Sequence, residues 1–323
     1  MLYDVNIKEI KPNGWLKSFI ETQMSGLTGN ISQAGFPFDC IEWGKEDYAK
    51  ESENPMWWVY EQTAYWLDGF IRCAILLNDD KAIKKASNII YSAINKADKD
   101  GYIGPLFMKE TDGWNRWPHV VFFRACMALY DYTNDRKIID ALTKHYLGGE
   151  CEFDYERDVL NVEIMLWIYG KTKNNKLLEL AVKNYEKYNI DSKKHENRYK
   201  NSENNNCESF ANSRKKPYAH GVTYNEFAKL GAILYIYTKD EKYLKASVNA
   251  YKKIDKYFML PDGCPCSNEF LINNYYMQSH ETCNVSDYTW SLYYLTKATC
   301  NSDFLDKIEK SSGIKKSRLS LIP

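Results

Sequence analysis

Short turns of similar composition recur along the chain, and each separates two segments with helical spacing of apolar residues. They lie at Leu77 to Asp80, Thr133 to Arg136, Thr172 to Asn175 and Thr238 to Glu241. In each turn an Asp or Asn able to cap a helix follows an apolar segment and precedes a segment of different character. This recurrence predicts an all-α chain built from pairs of helices.

The two helices of a pair differ in how their apolar residues are distributed. Val222 to Tyr237 is apolar nearly all round, which predicts a helix enclosed by its neighbours. Ile83 to Ala93 and Leu177 to Tyr188 have one apolar and one charged face, as helices facing solvent do. The alternation predicts an (α/α)6-type toroid, in which inner and outer helices pair and each pair buries its apolar face against the next.

The number of helices bounds this architecture. A leading helix near Trp15 to Leu27 precedes inner and outer pairs that begin near Trp57, Trp117, Arg157, Gly221 and Asn284. These make about eleven helices, so we expect the toroid to lack its last helix. We predict one domain over residues 1–310 and a frayed tail over residues 311–323. The polar segment Asp191 to Lys216 is interpreted as a surface loop or lid.

The amino-acid composition limits the kinds of partner that the protein is expected to bind. Lys plus Arg and Asp plus Glu are equal at 43 each, so no net field favours nucleic acid or an anionic membrane. The 26 Tyr and 9 Trp supply flat rings that stack on the apolar faces of sugars. An odd number of Cys, nine, favours reduced thiols. With no apolar leader at the start, we expect a cytoplasmic protein.

Polar and aromatic residues are concentrated where the inner helices begin. The groups include Trp58, Tyr60 and Glu61, then His119, Asp158, His220, His280 and Glu281. Because inner helices of a toroid run parallel, these groups would meet at one mouth, which favours a site for a small-molecule or oligosaccharide substrate. Each group taken alone is also explained by helix caps and first-turn acids.

Glu269 lies in the loop that precedes the last of these groups. Cleavage of a glycosidic bond needs a proton donor for the leaving oxygen and a nucleophile or base on the opposite side. Glu269 is a candidate donor if burial or the nearby Glu281 makes it hold its proton near the working pH. The alternative is an ordinary solvated loop acid.

The same region offers metal ligands. Glu281 and Cys283, with Cys264 and Cys266 close in sequence, provide oxygen and sulfur donors that zinc accepts. Their spacing is not that of a recognised zinc knuckle. Buried cysteines without a metal are therefore the alternative.

These residues resemble the β-L-arabinofuranosidase family (glycoside hydrolase family 127), whose catalytic domain is an (α/α)6 barrel. The segment Glu281-Thr282-Cys283, preceded by Glu269, is similar to the family's zinc motif and acid/base glutamate. The resemblance implies that Glu269 is the general acid/base and that Glu281 and Cys283 bind zinc. Further substrate-binding candidates are His119, His220, Glu309, Trp58, Tyr60 and Glu61.

One element of the family has no counterpart. Its nucleophile is a zinc-bound cysteine from a segment before a β-sandwich region, and no residue here matches that cysteine. We expect a chain lacking the last helix and the β-sandwich. It would be inactive, completed by a second polypeptide, or able to recruit Cys264 or Cys266 as a substitute ligand.

The leading hypothesis is a retaining glycoside hydrolase with zinc–thiolate chemistry. Two alternative functions are also consistent with the sequence. One is a non-catalytic sugar-binding toroid that lacks the nucleophile. The other is a different α/α-toroid glycosidase, such as an unsaturated uronyl hydrolase, which acts through acids without a thiol.

Overall fold

The computed structural model describes residues 4–39, 41–44, 46, 57–110, 116–149, 152–191, 205–272 and 279–319. Within these residues the regular structure is helical, apart from one antiparallel pair of two-residue strands. The chain forms two compact units, a first unit over residues 4–181 and a second unit over residues 182–323. Their boundary falls inside a single helix.

The first unit is built on three enclosed helices. Its helices are α1 (Gly14–Ser25), α2 (Trp57–Leu77), α3 (Asp80–Asn95), α4 (Leu106–Glu110), α5 (Trp117–Thr133), α6 (Arg136–Leu147), α7 (Asn161–Thr172) and the start of α8 (Asn175–Asp191). Helix α5 packs against both α2 and α7, and its residues 117–129 are all buried. Helices α3 and α6 bury only one face, as amphipathic helices do.

The second unit repeats this arrangement. After the end of α8 it contains α9 (Cys207–Asn212), α10 (Gly221–Thr238), α11 (Glu241–Tyr257), β1 (Ser267–Asn268), β2 (Phe270–Leu271), α12 (Thr282–Thr299) and α13 (Asp303–Leu319). Helix α10 packs against α11 and α12, and residues 221–234 along it are buried continuously. Helix α13 packs on α12 and extends past residue 310, where the domain boundary was predicted; that boundary stays a prediction.

All four predicted turns are confirmed, and the turns that begin at Thr133, Thr172 and Thr238 share one hydrogen-bond pattern, whereas the turn at Leu77 has the Asp79 cap without a Thr hydroxyl. In the turn after α10, Lys239 adopts a left-handed conformation with φ +62°, and the Thr238 hydroxyl oxygen accepts from the Asp240 N–H at 3.2 Å. The Asp240 carboxylate then accepts from the Lys242 N–H at 3.0 Å. We call this three-residue arrangement the capping turn. It ends one helix and begins the next within three residues.

The segment predicted as a loop or lid, Asp191 to Lys216, contains the short helix α9, and residues 192–204 lie outside the described residues. None of the described helices combines the length and the apolar character that crossing a bilayer requires.

A buried group of aromatic and imidazole rings occupies the core of the first unit. It contains Trp43, Tyr102, His119, Phe123 and His145. The His119 side chain is 0% exposed, and its Nε2 lies 2.8 Å from the carbonyl oxygen of Ile103. Burial lowers the pKa of His119 to about 4 and that of His145 well below its ordinary value. Both rings are therefore neutral at pH 7.

Because the buried rings are neutral, we expect the folded chain to lose stability in acid. Unfolded His119 takes up a proton near pH 6.5, whereas in the folded chain its pKa is about 4. The free energy of unfolding should therefore fall as the pH falls through this interval, by about 2 kcal/mol from His119 between pH 7 and pH 5. Chemical denaturation of the unmodified chain and of His119→Gln at both pH values measures the difference. An identical pH dependence in the two proteins would contradict the assignment.

Candidate functional site

Three of the predicted site residues come together in the second unit. His220 precedes α10, Glu269 connects β1 to β2, and Glu281 precedes α12. One imidazole nitrogen and one oxygen of each carboxyl group all lie within 4.8 Å of one another. We call these three residues the His220 cluster.

The imidazole of His220 is oriented by its own helix. Its Nδ1 accepts a hydrogen bond from the Thr223 backbone N–H at 3.3 Å, which caps the first turn of α10. Since Nδ1 is the acceptor, Nε2 carries the hydrogen and donates it to Glu269 Oε2 at 3.0 Å. The cap therefore fixes both the direction and the tautomer of the ring that meets Glu269.

Glu269 combines a fixed backbone with an accessible carboxylate. It is the single residue between the two paired strands and has a φ of +61°. Its carbonyl oxygen accepts from the Gly221 N–H at 2.7 Å, which ties this turn to the start of α10. The side chain is 71% exposed, so the burial expected of a proton donor is absent, and the neighbouring Glu281 is the remaining one of the two features expected to favour this role. A non-glycine residue in this conformation is held against a preference of about 1 kcal/mol, a cost often found at functional positions.

Glu281 is the less accessible acid of the pair. Burial raises its pKa, and the negative charge of Glu269 acts in the same direction, while His220 opposes it. The Ser267 hydroxyl donates to Glu281 Oε2 at 3.3 Å. One carboxylate oxygen of Glu269 and one of Glu281 lie within 4.8 Å of each other, closer than the roughly 6.5–9.5 Å between the two acids of inverting glycosidases.

An aromatic surface adjoins these acids, and sequence reasoning missed it. The rings of Tyr218 and Phe270 stack with centroids 5.1 Å apart, and Tyr218 is 60% exposed. Phe270 also lies edge-on to the ring of His220. Such a face suits the apolar side of a sugar ring. The available signal was position, because Tyr218 lies two residues before His220 and Phe270 directly follows Glu269.

Two predicted residues of the second unit lie apart from this cluster. Cys283 is exposed in the first turn of α12 and belongs to neither group of potential metal ligands that the described residues form. Glu309 is exposed on α13. The nitrogen and oxygen donors around Glu281 suit zinc, but the predicted thiol ligand does not join them. Zinc binding at Cys283 and sugar binding at Glu309 stay predictions.

The candidates in the first unit have different surroundings. Tyr60 and His119 are both 0% exposed, because the aromatic core encloses them even though they lie at helix starts. Trp58 is half-buried, and so is Glu61, whose carboxylate lies 4.0 Å from Arg157. In the described structure Tyr60 and His119 are therefore packing residues. The sugar contacts of these four side chains stay predictions.

Comparisons with known proteins identify the fold. No family model and no curated protein matches the sequence. A GH127 β-L-arabinofuranosidase from Geobacillus stearothermophilus T6 superposes with a TM-score of 0.71 and 15% identity, covering 94% of this chain and 55% of that one. A second GH127 β-arabinofuranosidase has a TM-score of 0.59 at 15% identity, covering 91% and 49%. An unsaturated glucuronyl hydrolase specific for heparin has a TM-score of 0.60 at 12% identity, covering 92% and 83%.

These similarities confirm the predicted fold class. The chain has the all-α fold of the α/α-toroid glycosidases and resembles the GH127 β-L-arabinofuranosidases. It spans about half the length of the two GH127 structures. At 15% identity the likeness concerns the fold, so the activity has to be argued from the site.

The backbone of Glu269 generates a prediction. Glycine adopts positive φ freely, so Glu269→Gly should leave the free energy of unfolding unchanged or raise it by up to about 1 kcal/mol. The matched control is Asn268→Gly, one residue earlier in β1, which should lower it by about 0.5–1 kcal/mol. Urea denaturation of both variants gives the comparison. Equal destabilisation would show that the left-handed turn places no strain on Glu269.

Proposed function

We propose that the protein is a glycoside hydrolase that cleaves β-linked L-arabinofuranosides, with its acid–base chemistry at the His220 cluster. The observation that carries this proposal is the pair of carboxyl groups within 4.8 Å, one of them hydrogen-bonded to an imidazole. The exposed Tyr218 face beside them and the fold shared with GH127 glycosidases support the same activity.

Glu269 is the proposed general acid/base because its carboxylate faces solvent, where a bound sugar would lie. It would first protonate the leaving oxygen and later take a proton from the attacking water. The His220 N–H holds one carboxylate oxygen at 3.0 Å, so the other oxygen is left for the substrate. Glu281 is half-buried, and burial raises its pKa. It would place a second carboxyl group close to the reacting bond.

We also propose zinc as a cofactor, with Glu281 and Cys283 among its ligands. Zinc there would lower the pKa of a bound thiol and so activate the nucleophile of a retaining reaction, which would be a cysteine other than Cys283, since no residue here matches the family's nucleophilic cysteine. Of these two residues only Glu281 shares the His220 cluster, so the acid–base steps above do not depend on zinc. We propose further that the substrate is a carbohydrate, that the protein is cytoplasmic and that a second polypeptide completes the toroid.

A second candidate is a hydrolase that acts through acids alone, such as an unsaturated uronyl hydrolase. It is favoured by the cluster itself, whose donors are imidazole and carboxylates without the Cys283 thiol, and by the fold shared with a glucuronyl hydrolase. Cys283→Ser separates the candidates. It should abolish release of an aryl β-L-arabinofuranoside if a zinc thiolate acts, and should leave hydrolysis of an unsaturated uronide unchanged in the second case.

The role of Glu269 is tested by Glu269→Gln, which keeps the shape of the side chain and removes its proton. We expect kcat/KM for an aryl β-L-arabinofuranoside to fall by about 100- to 10,000-fold, with the same thermal unfolding midpoint. Glu241→Gln, an exposed substitution at the start of α11, is the matched control and should retain full activity. An unchanged rate in Glu269→Gln would remove Glu269 from the mechanism.

A further inference from the structure

We propose a second metal-binding site, formed by Asp262, Cys264 and His280 and distinct from the His220 cluster. One carboxylate oxygen, the sulfur and one imidazole nitrogen lie within 4.8 Å of one another. A thiol and an imidazole together select zinc over magnesium or calcium, and a carboxylate is an accepted third ligand. We call these three residues the Cys264 cluster.

The cluster is already organised for ligation. Asp262 contacts both other members, since its Oδ1 accepts from the Cys264 N–H at 3.0 Å and its Oδ2 lies 2.5 Å from His280 Nε2. Cys264 is 1% exposed and the His280 side chain 9% exposed. In a tetrahedral zinc site the ligand atoms lie roughly 3.3–3.8 Å apart, so small side-chain shifts complete the geometry.

Buried polar atoms next to the cluster lack partners. In the part of the chain that the structure describes, neither His280 Nδ1 nor the hydroxyl of Tyr288 forms a hydrogen bond. Burial raises the pKa of the Tyr288 hydroxyl, and the charges of Asp255 and then Cys264 act in the same direction. Buried polar groups without partners are uncommon. Three protein ligands leave the fourth coordination position of a tetrahedral zinc ion to a water.

The position of the cluster indicates what the metal would do. The Ser267 N–H donates to the Ser279 carbonyl at 3.1 Å, so the segment bearing Cys264 lies beside the segment bearing His280. Adjacent side chains on extended backbone point to opposite sides. Accordingly His280 joins the Cys264 cluster, whereas Glu281 bonds to Ser267 and joins the His220 cluster. A zinc ion would fasten the loop that carries Glu269 to the start of α12.

The binding step is a ligand exchange without electron transfer. Zinc forms bonds to the sulfur, a carboxylate oxygen and an imidazole nitrogen, and it loses bound waters. The Cys264 thiol proton passes to solvent, and the imidazole proton of His280 moves from Nε2 to Nδ1, so that a neutral imidazole binds the metal through Nε2 beside the Asp262 carboxylate. The inference does not depend on the proposed hydrolysis, because its ligands are not the residues assigned to acid–base chemistry.

The test uses the full chain, reduced and reconstituted with Co²⁺, which takes zinc sites and gives a charge-transfer absorption when a thiolate binds it. We expect Cys264→Ser to remove one equivalent of cobalt together with the thiolate absorption that belongs to it. Cys266→Ser is the matched control, because this buried neighbouring thiol belongs to neither cluster of potential ligands, and it should bind cobalt as the unmodified chain does. Asp262→Asn and His280→Gln should weaken cobalt binding by about 10- to 100-fold.

Cys283→Ser keeps this proposal separate from the zinc proposed for the reaction. That variant should retain the cobalt–thiolate absorption due to Cys264, whether or not a metal at Glu281 and Cys283 is lost. No thiolate absorption in the unmodified chain, or an unchanged spectrum in Cys264→Ser, would overturn the second site. If Cys264→Ser does not fold, unchanged cobalt affinity in both Asp262→Asn and His280→Gln would overturn it equally.

Discussion

The left-handed residue that ends each enclosed helix is the constraint on which the rest of the structure depends. Asn78, Asn134, Lys173, Lys239 and Cys300 all have φ between 55° and 62°. Each reverses the chain at once, and in four of the five turns a Thr side chain accepts from the following Asp or Asn that caps the next helix. Because these reversals are so short, α2, α5, α10 and α12 each pack against the helix that directly follows.

This arrangement explains where chemistry collects in the second unit. Helices α10 and α12 pack together, and the residues that precede them, His220 and Glu281, lie within 4.8 Å. Side chains just before a helix meet unpaired backbone N–H groups, so polar residues belong there for structural reasons alone. His220 serves both purposes, because one ring nitrogen caps α10 while the other holds Glu269. Structural capping and the candidate site therefore use the same side chain.

The histidines show how burial changes the role of one residue type. In the first unit, His119 is enclosed, and its pKa is lowered to about 4, mainly by burial. In the second unit, His220 keeps 16% of its side chain exposed beside an exposed carboxylate. His280 is nearly enclosed but bonded to Asp262 and close to a thiol. His119 is therefore a packing group, His220 orients an acid, and His280 is a proposed metal ligand. All three nevertheless lie close to helix starts.

The sequence by itself determined the helices, the turns between them and the all-α class, because capping and the left-handed reversal depend on residues within three positions of each other. It also pointed to Glu269, Glu281 and His220, since acids and imidazoles near helix starts stand out in an apolar pattern. Only the tertiary structure decided which of these polar residues meet. Glu269 bonds to His220 across 49 positions, Cys264 meets His280, and His119 is enclosed, because those contacts depend on packing between distant segments, which no local pattern encodes.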